Sequence, residues 1–303
     1  MAEDVVLGID LSRWQSAKPF PWAALKIAGV HFSIHKATHG ASGVDPAFIG
    51  GFKGARSAAI LRGAYHWFLP QQDPVKQAEH YVSTVRKAGF DDLDLVAIDF
   101  EDPNMVIVGK DLADRLMILV EAVEQALDKP AVIYTGNWFW KQYMLDLDDE
   151  RAASRLLWHS QYPRFGLDNQ MSKAAYESAM ALARDYRTTV ALPWRKRGIQ
   201  EAFFQFDGDR GLLLPNGVDA DFNIFRGSLE RLEATFACRL SQGGSPTLPA
   251  PTLLSEKPQE SVVLGDFLHS LATPEISPST CDVSDLASKI SCDLDLLAAL
   301  RAA

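Results

Sequence analysis

Cysteine is scarce in this chain. Only Cys238, Cys281 and Cys292 occur in 303 residues. Their spacing matches neither a zinc site nor a redox pair, so no disulfide framework, metal or other cofactor is expected. Basic residues are also in deficit: 30 Lys and Arg against 39 Asp and Glu leave a formal charge of −9 and a pI of about 5.3. That balance argues against a nucleic-acid partner held by phosphate contacts. No apolar run reaches the ~20 residues of a membrane helix, so no membrane insertion is expected. The opening Met1-Ala2-Glu3-Asp4, followed at once by Val5-Val6-Leu7-Gly8-Ile9-Asp10, has neither the basic nor the long apolar region of a secretory leader. Synthesis in the cytoplasm is expected, and work outside it needs another exit route.

What is present suits a globular enzyme: 47% hydrophobic and 23% charged residues can bury a large core. A domain over residues 1–240 is expected, then a linker over 241–260, where Gln, Gly, Ser, Pro and Thr dominate, and a short helical tail over 261–303 without an assigned role. A monomer is expected.

The most informative stretch is Leu93-Asp94-Leu95-Val96-Ala97-Ile98-Asp99-Phe100-Glu101-Asp102. Its apolar, β-branched half reads as a strand buried on both faces, and it ends in acid. Side chains alternate along a strand, so Asp99 and Glu101 share a face with Cα atoms roughly 6.6 Å apart, close enough for each carboxylate to raise the other's pKa. A carboxyl group that keeps its proton near neutral pH is what general acid catalysis requires.

The rest of the pattern supplies a scaffold. Strands are predicted at Val5–Asp10, Val30–Thr38, Leu61–Phe68, the acid-tipped segment and Ala131–Thr135, each followed by a helix. Asp73-Pro74 opens one such helix, and 111–129 is an amphipathic one. Then the rhythm changes: Leu156–Tyr162, Ala202–Phe206 and Val218–Phe225 read as strands without a helix each, an inserted helix is predicted over 171–187, and a last helix over 228–239. Acid lies at the ends of the first, fourth and eighth strands, which suggests a closed α/β barrel whose carboxylates, Asp10 among them, converge on one mouth.

These segments resemble the family 25 glycoside hydrolases, the Chalaropsis-type lysozymes. GIDLSRWQ (8–15), KATHG (36–40), DPAF, GAYHWF, AIDFED (97–102), IYTGNWFW (133–140), LLWHSQYP (156–163), FFQFD (203–207) and DFNIFRG (221–227) occur in the family's order over roughly residues 5 to 230. The resemblance implies a TIM-like barrel of (β/α)5(β)3 type and hydrolysis of the β-1,4 bond between N-acetylmuramic acid and N-acetylglucosamine in bacterial peptidoglycan. It implies that Glu101 is the proton donor, with Asp99 beside it and Asp10 and Asp221 as the other two acids; Asp219 competes with Asp221 for the fourth place. Tyr65, Tyr134, Trp158 and Gln205 fall where the family lines its saccharide groove. The resemblance leaves the mechanism between inversion and assistance by the substrate's own acetamido group, the latter preferred. It suggests an endolysin-like protein that reaches the wall through a holin-type pore, or else an injected effector.

Two segments depart from the family. His39 stands where Glu is common, and the stretch from Gly166 to Gly198 is long and ends in Arg195-Lys196-Arg197, read as a solvated loop rather than a wall-contacting patch. His31, His35 and His66 are read as packed barrel residues rather than metal ligands. The rival functions are a catalytically silent carbohydrate-binding barrel and a chitinase-like β-1,4 hydrolase.

Overall fold

The computed structural model describes residues 4–15, 20–103, 106–163, 173–208 and 212–240; the linker and tail expected beyond 240 lie outside them. Among the described residues one sheet contains β1 (Val5–Leu11), β2 (Phe32–His39), β3 (Gly43–Val44), β4 (Leu61–Trp67), β5 (Leu95–Asp99), β6 (Ala131–Gly136), β7 (Leu157–Ser160), β8 (Phe203–Asp207) and β9 (Asp221–Arg226). The sheet closes because β1 pairs with both β2 and β9. β3 hangs on β2 as a hairpin outside the ring, so eight strands make the barrel. β1, β2 and β4 to β8 are parallel, and β9 runs against both of its neighbours. This is the (β/α)5(β)3 barrel expected from the sequence, with two features the pattern did not reveal: the hairpin β3 and the reversal of β9.

The helices are α1 (Trp22–Ile27), α2 (Phe48–Ser57), α3 (Pro74–Lys87), α4 (Gly109–Leu127), α5 (Asn137–Tyr143), α6 (Glu150–Ala153), α7 (Lys173–Asp185), α8 (Leu192–Lys196) and α9 (Leu229–Ala237). Local chemistry sets several ends. Asp73 accepts from the amides of Val75 and Lys76 at 2.8 and 3.1 Å and so caps α3, with Pro74 in its first turn. On α4, Leu112, Leu116, Leu119, Val120 and Val123 are buried as the periodicity predicted. That helix stops at Leu127 because Asp128 takes the left-handed conformation, φ 55°.

Alternation along the strands divides the core in two. Phe32, Ile34, Tyr65, Leu95, Ala97, Val132, Tyr134, Trp158, Phe203 and Phe225 fill the barrel. Their alternates, such as Ala64, Val96, Ile98, Ile133 and Leu157, face the helices. Gly8 points inward, and a Cβ there would come within 2.3 Å of the Phe32 ring; its bareness lets that ring occupy the barrel. Phe236 of α9 packs against Phe32 and Phe203, with centroids 6.3 and 6.5 Å apart, and plugs one end. The other end stays open.

The structure corrects the solvated-loop expectation for Arg195-Lys196-Arg197. Arg195 and Lys196 end α8, and Lys196 and Arg197 both reach Asp148, at 2.6 and 2.5 Å. Pro193 at the start of the helix and the buried Trp194 just before these charges explain the order. His35 bonds the Ser33 hydroxyl at 2.9 Å, and His66 bonds Thr38 and Gln77 at 2.7 and 3.2 Å. Burial lowers both imidazoles to about 3, so they stay neutral packing groups.

One buried ion pair ties β9 to its surroundings. Arg226 Nε meets Glu201 Oε1 at 2.8 Å with both side chains fully enclosed. The guanidinium also donates to the carbonyls of Arg184 in the last turn of α7 and of Tyr186 just after it, and Glu201 accepts from Thr188 Oγ1 at 2.6 Å. Removing one partner leaves an uncompensated charge in the core. Glu201→Leu is expected to lower unfolding stability by about 3–5 kcal/mol, read by denaturant titration; a loss below about 1 kcal/mol, the worth of an exposed pair, would refute a structural role for the pair.

Candidate active site

The inward positions nearest the open end carry the polar chemistry. Asp10 comes from β1, Lys36 from β2, Tyr65 and Trp67 from β4, Tyr134 from β6, Trp158 from β7 and Gln205 from β8. Asp99 is the last residue of β5, and Glu101 lies two positions on. All of them, with Ser12, Trp14, Tyr162 and Asp221, line one hollow of about 160 Å³. Parallel strands bring their C-terminal ends to this mouth. β9 brings its N-terminal end instead, and the ladder sets Asp221 directly opposite Asp10. Every site residue expected from the sequence therefore lies in one place. Asp219 is exposed, bridged to Leu213, and absent from the lining.

Phe100 explains how two neighbouring acids share a face. Its ring turns the opposite way, into the helix layer, 4.9 Å from Phe139 and 6.2 Å from both Phe68 and Trp140. Its amide donates to the Tyr134 carbonyl at 2.9 Å, carrying strand geometry past Asp99. The alternation predicted for Asp99 and Glu101 is thus held by an aromatic anchor.

A hydrogen-bond chain orients the opposite wall. Gln205 Nε2 and Asn223 Nδ2 donate to Asp10 Oδ2 at 2.7 and 2.8 Å. Trp158 Nε1 donates to Asn223 Oδ1 at 2.7 Å, and the hydroxyls of Tyr134 and Tyr162 donate to Gln205 Oε1 at 2.7 and 2.6 Å. Asp99 is only 5% exposed, and its Oδ1 is buried with no hydrogen-bond partner among the described residues. Glu101 is less enclosed and faces the opening.

Electrostatics follow from crowding acids away from water. Burial raises Asp10 to about 7, against the donors Asn223 and Gln205, with the Glu101 charge adding to the rise. Burial and then the Asp221 charge raise Glu101 to about 7, against a hydrogen bond from Tyr134 and the pull of the Lys36 ammonium. Asp99 is raised well above the carboxylate range by burial and by Glu101, with Lys36 opposing. Tyr134 has one proton: given to Gln205, it leaves the phenol oxygen to accept from protonated Glu101; given to Glu101, it favours the carboxylate. The cluster therefore holds protons near neutral pH, and the one on Glu101 stands where a ligand can reach it.

Sequence reasoning missed Lys36 and Tyr162 as lining residues and left Asn223 without a role. Lys36 is in phase with Phe32 and Ile34, so period-two alternation would have placed it. It sits at a bulge in the β2–β4 ladder with its ammonium 4.2 Å over the Trp67 ring. Tyr162 lies past the end of β7, where alternation carries no information.

Comparison with known proteins bears on the family and the fold. The model of the glycosyl hydrolases family 25 matches residues 9–180. The chain belongs to that family. As a family 25 member it is a glycoside hydrolase, as the resemblance read from its motifs implied. It is 28% identical over 238 residues to the uncharacterized protein YegX of Escherichia coli K12, covering 77% of this chain and 74% of that one. It is 38% identical over 79 residues to lysozyme M1 of Streptomyces globisporus, 26% of each chain. The crystal structure of a bacterial lysozyme from Streptomyces coelicolor superposes with a TM-score of 0.60 at 24% identity, covering 77% of this chain and 97% of that one.

A buried acid whose pKa is higher folded than unfolded has a definite sign. The folded family 25 barrel binds a proton at Asp10 that the unfolded chain, near 3.8, has already lost; stability is therefore full below about pH 4 and falls as pH rises toward 7. Asp10→Asn keeps an oxygen for Gln205 and Asn223 and removes the charge. It is expected to raise the melting temperature at pH 8, by up to about 4 kcal/mol of stability at 1.36 kcal/mol per pKa unit, with the gain shrinking to nothing by pH 4. A gain independent of pH would show that Asp10 carries no buried charge.

Proposed function

We propose that this family 25 glycoside hydrolase is a peptidoglycan muramidase that cuts the β-1,4 bond between N-acetylmuramic acid and N-acetylglucosamine and so lyses the bacterial cell wall. The observation that carries the proposal is the meeting of Asp10, Asp99, Glu101 and Asp221 in one open, aromatic-walled hollow with carboxyl groups held protonated near neutral pH. The names of the matched lysozymes support the substrate. Residues 1–240 are assigned the reaction.

Glu101 is assigned the proton donation to the glycosidic oxygen, because its pKa is lifted to about 7 and it faces the opening. Asp99 lies deeper, and its unpartnered Oδ1 is suited to receive the N–H of the substrate's acetamido group, aligning the carbonyl oxygen for attack on the anomeric carbon. A buried acceptor without a donor costs about 1–3 kcal/mol in the resting protein, and a substrate N–H removes that cost. This favours the substrate-assisted route, in which water then opens the oxazolinium-like intermediate. Asp10 and Asp221 stand side by side on the neighbouring strands β1 and β9, where the ionised fraction of the pair stabilises an oxocarbenium-like centre. Tyr65, Tyr134, Trp158 and Gln205 are assigned to saccharide contact; Trp158 stands edge-on to both tyrosines at 6.2 and 4.7 Å and forms a rigid wall.

Glu101→Gln is expected to lower the rate on purified cell wall by about 10²–10⁴-fold, with muramic acid at the reducing end of wild-type products by mass spectrometry. Wild-type turnover in Glu101→Gln, or N-acetylglucosamine at that end, would refute the assignment. For the wild type, kcat is expected to fall as pH rises above about 7, where Glu101 loses its proton. Asp99→Asn keeps the donor acid and is expected to lose less and to shift that limb. Inversion at the anomeric carbon by NMR would exclude substrate assistance.

A further inference from the structure

Beside the acid hollow the mouth continues into a second pocket of about 250 Å³, lined in part by Arg13, Trp14, Lys36, His39, Asp45 and Trp67. Trp14, Lys36 and Trp67 line both, so the two form one groove. The charge changes sign along it. Among the described residues Asp45 is the single acid in the second lining, and its carboxylate is already engaged: Oδ2 accepts the Arg13 amide at 3.0 Å and Oδ1 the Ala47 amide at 2.9 Å. The remaining charged and titratable side chains there are basic. The Arg13 guanidinium lies 4.5 Å over the ring of Trp14, which is 73% exposed, and the Lys36 ammonium lies 4.2 Å over Trp67. His39 completes the set as a neutral hydrogen-bonding imidazole, because burial and then the charges of Lys36 and Arg13 lower its pKa against the pull of Asp45. It pairs with Gly43 across the β2–β3 hairpin, and its imidazole rests where a Gly43 Cβ would come within 2.3 Å. Only a glycine at 43 leaves room for that ring.

We propose that this second pocket is a subsite for a carboxylate carried by the glycan, held by Arg13, Lys36 and His39 while the sugar rings that bear it lie along Trp14 and Trp67. The inference rests on the muramidase reading and adds a selected substituent and a direction to it. Indole faces take the apolar faces of pyranoses, and guanidinium, ammonium and imidazole are the partners a carboxylate prefers in water-excluded contact. The neighbouring acids repel the same carboxylate, so the groove has a negative end that takes the scissile bond and a positive end that takes the anion. A strand bound in the opposite sense sets its carboxylate among the acids instead of the bases, which disfavours that register. Two parts of a cell-wall glycan carry such a group: the lactyl ether of a muramic acid without peptide, and the acidic residues of a peptide stem.

The test uses the full chain and its Arg13→Gln, His39→Glu and doubly substituted forms. Three probes are compared: peptide-free strands with free lactyl carboxylates, the same strands with those carboxylates converted to methyl amides, and strands with intact stems. The double variant is expected to lose about tenfold in kcat/KM on a carboxylated probe, carried by KM, the size of one charge-assisted contact. Amidation is expected to impose the same loss on the wild type and to close the gap between the two proteins. A loss on peptide-free strands identifies the lactyl group; a loss confined to stem-bearing strands identifies the stem. Equal KM for free and amidated strands with the wild type, or an equal penalty in the double variant on both, would overturn the inference. Calorimetric binding of the same probes to Glu101→Gln separates it from the reaction: discrimination by carboxylate without cleavage by the wild type would retain the subsite and reject the muramidase reading, and cleavage without discrimination the reverse.

Discussion

The pairing of β1 with β9 is the contact on which the site depends. Antiparallel register sets Asp10 against Asp221, and the same ladder closes the barrel by joining the first strand to the last. With an open edge there, the tips of β1 and β5 would stand apart on a flat sheet, and no enclosed hollow would exist to keep water from the carboxyl groups. Reversal of β9 matters for the same reason, because a parallel last strand would send Asp221 to the plugged end. The buried pair Arg226–Glu201, at the far end of β9, holds that strand to the loop after α7.

Gathering acids in this way works against folding. Each of Asp10, Asp99 and Glu101 is shifted upward chiefly by burial; the Glu101 charge adds to the rise at Asp10 and Asp99, and the Asp221 charge to that at Glu101. The structure offsets the cost with oriented donors on Asp10 and with the Lys36 ammonium, and leaves Asp99 Oδ1 unsatisfied. Stability comes from elsewhere: a barrel interior filled by Phe32, Phe203 and Phe225, the Phe236 plug and the helix layer against which Phe100 is anchored. The groove then uses opposite charge on its two halves, with Trp14 and Trp67 bridging the change of sign.

Much of this was legible in the sequence. Strand order, the five βα units, the Asp73 cap and the shared face of Asp99 and Glu101 follow from periodicity and capping chemistry, which act within a few residues. The resemblance to family 25 assembled the eight candidate side chains, and the structure brings all eight to one lining. Short elements escaped: β3, and the α8 turn that absorbs Arg195 and Lys196, are too brief to show a period and are held by distant partners such as Asp148.

The sequence alone determined which faces of the strands are polar and where acid ends them, because side-chain alternation is a property of the local backbone. Tertiary structure decided between Asp221 and Asp219 for the hollow, and it alone decided that Gln205 and Asn223 grip Asp10. Those outcomes depend on ladder register and on the direction of β9, each set by residues far apart in the chain. The raised pKa values belong to the same category, since burial is a property of the closed barrel and of no segment within it.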